Sequence, residues 1–239
     1  MEAIKYSVVI PLKNEEGNIA DLIVELEPVM EGLAEPWELI CIEDGSTDGT
    51  KEILYQLQKR KKFIRIICFA RNYGQSSAFD AGFKAARGKF VITMDGDRQN
   101  DPADIPRMVK LMDNCDLMCG YRANRQDPWS KKMISRLANA FRSRMCRDGV
   151  RDTGCSLKIY RRECLQKIKM YQGMHRFLPA LFSIEGFSIK EIAVNHRPRI
   201  RGVTKYNLFN RSFNTLSDML AVRWMRKRHL HYQMDKEII

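Results

Sequence analysis

Residues 90–97 read Phe90-Val91-Ile92-Thr93-Met94-Asp95-Gly96-Asp97. Five apolar or β-branched side chains run directly into two carboxylates separated by one glycine. A run with no polar alternation is the pattern of a strand buried on both faces, as in a parallel sheet covered by helices. Four other β-rich runs resemble it: Tyr6–Pro11, Trp37–Glu43, Ile64–Phe69 and Leu117–Tyr121, with Phe90–Asp95 fourth in chain order. Helical stretches are expected between them, near 17–32, 48–60, 75–87 and 102–113. Strands spaced by helices predict an α/β fold with a mostly parallel, mixed central sheet flanked by helices.

Ligands of such sheets gather at the carboxyl ends of the strands. The residues found there are Pro11-Leu12-Lys13-Asn14-Glu15, then Glu43-Asp44-Gly45-Ser46-Thr47-Asp48, then Arg71-Asn72-Tyr73-Gly74-Gln75, then Asp95-Gly96-Asp97-Arg98-Gln99, and finally Arg122. Charges collect at strand end after strand end, which favours a cleft over a set of structural loops. Asp95 and Asp97 can hold a hard divalent cation, with Gln99 as a further oxygen donor. Gly96 lets the backbone come close to a ligand. Asp44, and Glu43 after it, can accept from a nucleobase or ribose. Ser46 and Asp48 read instead as helix caps. Asn14-Glu15 and Arg71 each have a structural alternative, a cap and a surface ion pair. No GxGxxG or Walker A segment occurs, so dinucleotide and P-loop readings have no support. His175 and His196 are single residues without zinc-ligand spacing and read as structural.

The second half is less regular. A basic amphipathic helix is expected at 128–146, with Met133, Leu137, Ala140 and Phe141 on its apolar face. A strand near 155–160, a short helix from about Arg161, a helix at 175–184 and a strand at 187–194 follow. A basic loop at 195–207 leads to a last amphipathic helix at 207–226, with Leu208, Phe213, Leu216, Leu220 and Trp224 on one side. We divide the chain into a domain at 1–206 and a C-terminal helix and basic tail at 207–239.

The formal net charge is +12. Residues 121–147 carry eight Lys/Arg and one Asp, and residues 196–231 carry nine and one. The remainder holds 24 basic and 27 acidic side chains, so the excess lies wholly in those two segments. They suit phosphate-rich partners, a nucleic acid or an anionic membrane. A nucleic-acid-binding module would leave the acidic strand ends unexplained, and nucleic acid is not an expected partner. The seven cysteines form no CxxC pair and read as reduced core thiols. No signal peptide and no run near 18 apolar residues is seen, so membrane contact is expected to be peripheral.

Together these segments resemble the family 2 glycosyltransferases of GT-A fold, and within them the polyprenyl-phosphate glycosyltransferases. The matching pieces are Val8–Glu15, Glu43–Thr50, Arg71–Gly74, Ala81–Gly88, Asp95–Pro102, Gly120–Arg122, Asp152–Tyr160 and Arg199–Tyr206. The resemblance implies inverting transfer of one sugar from a UDP- or GDP-sugar to a polyprenyl phosphate. It places Pro11, Lys13, Asn14, Glu15, Glu43, Asp44, Arg71, Asp95 and Gly96 around the nucleotide sugar. Asp95, Asp97 and Gln99 would hold Mg²⁺ or Mn²⁺. Arg122, Lys131, Ser135, Arg199 and Lys205 would face the acceptor phosphate, and Asp97, Arg122 and Arg199 would carry the chemistry. Lys131 stands where the family often has Arg, and Glu43 where many relatives have Asp. Many relatives carry C-terminal transmembrane helices; this chain resembles the type that sits on the cytoplasmic face of a membrane or uses a small membrane-protein subunit. A same-fold enzyme acting on a sugar or protein hydroxyl is the alternative.

Overall fold

The computed structural model describes residues 3–123, 141–198, 208–230 and 232. The first half alternates as expected: β1 (Tyr6–Leu12), α1 (Ile19–Glu31), β2 (Trp37–Glu43), α2 (Thr50–Arg60), β3 (Ile64–Cys68), α3 (Gln75–Ala85) and β4 (Phe90–Thr93). Then come α4 (Ile105–Val109), β5 (Leu117–Arg122), β6 (Lys158–Arg161), the helix Leu178–Ile184, β7 (Ile189–Val194) and a C-terminal helix, Leu208–Arg228. The seven strands lie in the order β3-β2-β1-β4-β6-β5-β7. All run parallel except β6, which is antiparallel to both β4 and β5.

β1 is paired with β2 on one side and β4 on the other, so the strand order reverses there. That reversal opens a crevice beyond the carboxyl ends of β1 and β4. The loops beginning at Leu12 and Met94 are therefore the ones that flank it. β1 is buried on both faces. Val8, Ile10 and Leu12 pack with Leu22, Ile23 and Leu26 of α1, whereas Val9 packs with Phe79 and Phe83 of α3. α3 can lie this close because a Cβ on Gly82 would meet Val9 Cγ1 at 2.3 Å.

Two expectations need correction. The stretch 102–113 is not one helix: 3₁₀ turns at Pro102–Asp104 and Met112–Asn114 flank the five residues of α4. Pro106 has no N–H to donate, so an α-helical ladder cannot form back to Pro102. Of the seven cysteines six are buried, but Cys68 on the edge strand β3 is exposed. The apolar side of the last helix, for which the sequence left both a core and a surface role open, faces outward. Leu216, Leu220 and Trp224 are 43%, 53% and 62% exposed, while Met219 and Val222 pack against Phe177, Leu181 and Ile184. The side chains of Leu208 and Phe213 are outside the described residues. Of the helix expected at 128–146, residues 141–146 are described and helical, and Phe141 is exposed.

The amino ends of the strands are closed by a structural carboxylate. Glu38 accepts from Ser7 Oγ at 2.7 Å, Arg65 Nη1 at 2.7 Å and the Arg87 backbone N–H at 2.9 Å. Burial pushes its carboxyl up, but these hydrogen bonds outweigh burial and hold it below the ordinary glutamate value of 4.5. With the folded pKa depressed, this contribution is present above the unfolded pKa and is lost as pH falls through the folded one. Glu38→Gln should cost roughly 1–3 kcal/mol at pH 7. Urea denaturation between pH 3 and 7 should give a flatter acid limb for the variant than for the wild type.

Candidate active site

Each strand-end loop is held by side chains from its neighbours. After β1, Asn14 takes φ 52°, a backbone conformation uncommon outside glycine. Its N–H donates to Ser46 Oγ at 3.0 Å, and its Oδ1 accepts from the Thr47 N–H at 2.8 Å. The Glu15 N–H donates to Thr50 Oγ1 at 2.8 Å. Asn14 and Glu15 thus lock the first loop to the second. Asp48 accepts from the N–H of Thr50 at 3.1 Å, although the N-cap position of α2 is Gly49 and Asp48 stands one residue before it. Ser46 does not cap; it holds Asn14.

Glu43 and Asp44 are both buried at the end of β2. Glu43 accepts from the Ser46 N–H. Asp44 accepts from the N–H groups of Tyr73 at 2.7 Å and Gly74 at 2.9 Å. Its carboxylate therefore fastens the loop after β3 to the end of β2. Gly45 between the two loops has φ 65°, and a Cβ there would meet the Asn72 nitrogen at 2.5 Å. Arg71 is exposed, with its guanidinium 5.2 Å from the Tyr73 ring centroid. Pro11, in β1 beside Ile42, and Lys13 are partly buried at the same edge.

The turn after β4 is built from several directions. The Asp95 N–H donates to Asn100 Oδ1 at 3.0 Å, and Asn100 Oδ1 also accepts from Ser156 Oγ at 2.7 Å. Asp95 Oδ1 accepts from Gln75 Nε2 at 2.9 Å, and Asp97 Oδ1 from the Gln99 N–H at 3.1 Å. Burial, and then the charge of Asp97, push the Asp95 carboxyl up to about 6. Gly96 serves packing: a Cβ there would meet Leu12 Cδ2 at 2.4 Å. The Gln99 amide nitrogen lies 3.5 Å from the Arg197 carbonyl oxygen. Gln75, Asn100 and Ser156 were not singled out from sequence. Gln75 had a legible signal, because it closes the segment Arg71–Gln75 that follows the third strand run. Asn100 and Ser156 are 56 residues apart, and only the fold joins them.

Beside this acidic turn stands a guanidinium. Arg122 donates through Nε and Nη2 to the two oxygens of Asp152, at 2.7 and 2.8 Å. Their side chains are only 17% and 11% exposed. A Cβ on Gly154 would meet Arg122 Nη2 at 2.9 Å, so the glycine of Asp152-Thr153-Gly154 leaves room for the fork. Arg122 is near enough to Asp95 to draw its carboxyl downward. Lys131, Ser135, Arg199 and Lys205 lie outside the described residues.

Mg²⁺ or Mn²⁺ fits this donor set. Asp95 and Asp97 offer hard oxygen ligands, and a cation would relieve the repulsion between them. No cluster of three or more His, Cys, Asp or Glu that could hold a metal exists among the described residues. The other ligand positions would then fall to substrate phosphates and water, the usual state of Mg²⁺.

Residues 7–169 match glycosyl transferase family 2. The chain belongs to this glycosyltransferase family. It is similar to the dodecaprenyl-phosphate galacturonate synthase of Rhizobium johnstonii, at 38% identity over 233 residues, covering 95% of this chain and 69% of that protein. Among solved structures it resembles glucosyl-3-phosphoglycerate synthase from Mycobacterium tuberculosis in complex with Mn²⁺, UDP and glucosyl-3-phosphoglycerate. That match has a TM-score of 0.70 at 20% identity and covers 93% of this chain and 80% of the other. A second structure of that enzyme, with Mg²⁺ and UDP, matches with a TM-score of 0.66 at 17% identity, covering 93% and 79%. The glycosyltransferase therefore has the GT-A arrangement of these neighbours.

Removing Asp152 strands the Arg122 charge in a nearly buried position. Asp152→Ala in this glycosyltransferase should cost about 3 kcal/mol, the lower end for breaking a buried pair. A lower urea midpoint at unchanged m-value would register it.

Proposed function

We propose that this glycosyltransferase moves one sugar from a nucleotide sugar, UDP- or GDP-linked, to a polyprenyl phosphate at a membrane surface, with inversion at the anomeric carbon. The observation that carries this reading is the juxtaposition at one sheet edge of an acidic pair, Asp95 and Asp97, with a buttressed guanidinium, Arg122. The first suits a cation and a diphosphate; the second suits an anionic acceptor. The similarity to a dodecaprenyl-phosphate galacturonate synthase supports a lipid phosphate as that acceptor. The UDP held by solved neighbours supports a uridine nucleotide as the first donor to try.

In this reading Asp95 and Asp97, with Gln99 as a further donor, hold Mg²⁺ or Mn²⁺. The cation, when bound, neutralises charge that builds on the departing diphosphate. The acceptor needs little activation, because a phosphate monoester has a second pKa of roughly 6 and is ionised near neutral pH. One of its oxygens forms the bond to the anomeric carbon as the bond to the donor β-phosphate breaks. The nucleoside diphosphate leaves and no proton must be removed. Arg122 orients the acceptor phosphate, and Asp152 holds Arg122 rather than acting as a base. Lys131, Ser135, Arg199 and Lys205 complete the acceptor side. Pro11, Lys13, Asn14, Glu15, Glu43, Asp44, Arg71 and Gly96 shape the nucleotide side.

No helix among the described residues is long and apolar enough to cross a membrane. The exposed Leu216, Leu220 and Trp224, beside the exposed Arg223, Lys227 and Arg228, support peripheral docking on an anionic leaflet. Each basic side chain near such a surface is worth roughly 1 kcal/mol. We assign the chain to the cytoplasmic face, with a small membrane-protein subunit as a further partner.

The test is a screen of UDP- and GDP-sugars, uronic acids included, against undecaprenyl and dolichyl phosphate with Mg²⁺, Mn²⁺ or chelator. Lipid-linked product is expected with a divalent ion and not with chelator. Asp97→Ala should lower kcat by roughly 10²–10³, as for other lost charge-stabilising groups. Full turnover of Asp97→Ala, or product made only on a soluble hydroxyl acceptor, would count against the proposal.

A further inference from the structure

A chain of charged groups wraps the outside of the Asp95–Asp101 turn and has no part in the assignments above. Arg98, inside the turn, has φ 62°. Its guanidinium donates to Asp21 and Glu25, one helical turn apart on α1. Arg197, from the segment after β7, donates to the other oxygen of Glu25, and to Asp101 Oδ1 at 2.7 Å. The connected series is Asp21, Arg98, Glu25, Arg197 and Asp101. Glu25 is its centre, one carboxylate shared by two guanidiniums.

Backbone contacts run along the same line. The Arg197 N–H donates to the Gln99 carbonyl at 2.9 Å, and His196 forms an antiparallel bridge with Asn100. The Asn195 N–H donates to Asp104 Oδ2 at 2.6 Å. Gln99 is the link to the acidic pair. Its carbonyl is held by Arg197, and its own N–H holds the carboxylate of Asp97.

Exposed ion pairs usually contribute little. These differ in three ways. Most of the side chains are partly covered, at 14% exposure for Asp101, 16% for Arg98, 27% for Glu25 and 35% for Arg197, with Asp21 at 56% the open end. Arg98 Nε is buried without a hydrogen-bond partner among the described residues, so the guanidinium has given up solvent to make these contacts. Arg98 also occupies a sparsely populated backbone region, costing of order 1 kcal/mol or more, which persists only where the surroundings over-determine it. Burial tends to raise the Glu25 carboxyl, yet the hydrogen bonds from Arg197 and Arg98 hold it below its ordinary value.

We propose that Arg197 is a positioning residue for the cation and diphosphate site: through Glu25, Asp101 and Gln99 it fixes the turn that aims Asp97. This rests on the reading of Asp95 and Asp97 as a cation-holding pair. Arginine is needed because one guanidinium must reach two carboxylates on different elements. A lysine ammonium, a point charge without the fork, satisfies the geometry only in part.

The experiment measures Mn²⁺ affinity in the presence of UDP, by electron paramagnetic resonance of free Mn²⁺, on the full chain with no acceptor. Thermal melting is recorded alongside. Arg197→Gln and Glu25→Gln should each raise the Mn²⁺ Kd about tenfold, the low end for groups behind a metal site. Arg197→Lys should recover part of the loss. The double variant should be no worse than either single, because both break one device. Tm should move by only a few degrees. Wild-type affinity in Arg197→Gln, or fully additive losses in the double variant, would overturn the assignment. If Arg197→Gln does not fold, Glu25→Gln and Arg197→Lys carry the same comparison. A wild-type chain that binds no Mn²⁺ with UDP would instead remove the cation reading itself, and this inference with it.

Discussion

Asp95 and Asp97 repel each other at the end of a buried strand, and much of the surrounding structure deals with that repulsion. Burial and the adjacent charge push the Asp95 carboxyl up to about 6. Gln75, Asn100 and Ser156 supply hydrogen bonds that keep the turn in place regardless. Arg122 and the buried Lys158 both draw the Asp95 carboxyl back down. Such an arrangement is costly for stability alone and makes sense for a site that meets a cation, since hard oxygen donors kept in fixed positions lose little on binding one.

The topology explains why the charges collect here. β1 pairs with β2 and β4, so loops on either side of the strand-order reversal part and leave a crevice. The two uncommon backbone conformations at this edge, Asn14 and Arg98, lie in the loops after β1 and β4. Strain of this kind gathers where a scaffold over-determines a functional loop. The opposite edge is held around Glu38 by hydrogen bonds and by ion pairs with Arg65 and Arg87.

Asp44 shows how a strand-end carboxylate builds the scaffold of this edge. Its two oxygens accept backbone N–H groups from the loop after β3, which ties the ends of β2 and β3 together. Arg122 and Asp152 repeat the pattern on the other side of β4. An Arg that must bind an anion at a fixed place benefits from a carboxylate that holds its fork, because rotamer freedom is then lost on folding and not on binding.

The amino-acid sequence by itself determined the alternation of buried strands and helices, the mixed sheet and the acidic strand ends. Those are local properties, set by hydrophobic periodicity and by where apolar runs stop. It also identified Asp95, Asp97, Asp44 and Arg122 as residues worth attention, since each stands at a strand end. It could not pair Arg122 with Asp152, Asn100 with Ser156, or Arg197 with Glu25, because sequence separation carries no distance. It left open which side of the last helix is covered, for a related reason: Leu216, Leu220 and Trp224 form the more apolar stripe, but Met219 and Val222 are the ones that meet a neighbour. A helix can be amphipathic on its own; which face is buried is decided by what it packs against, and that belongs to the tertiary structure.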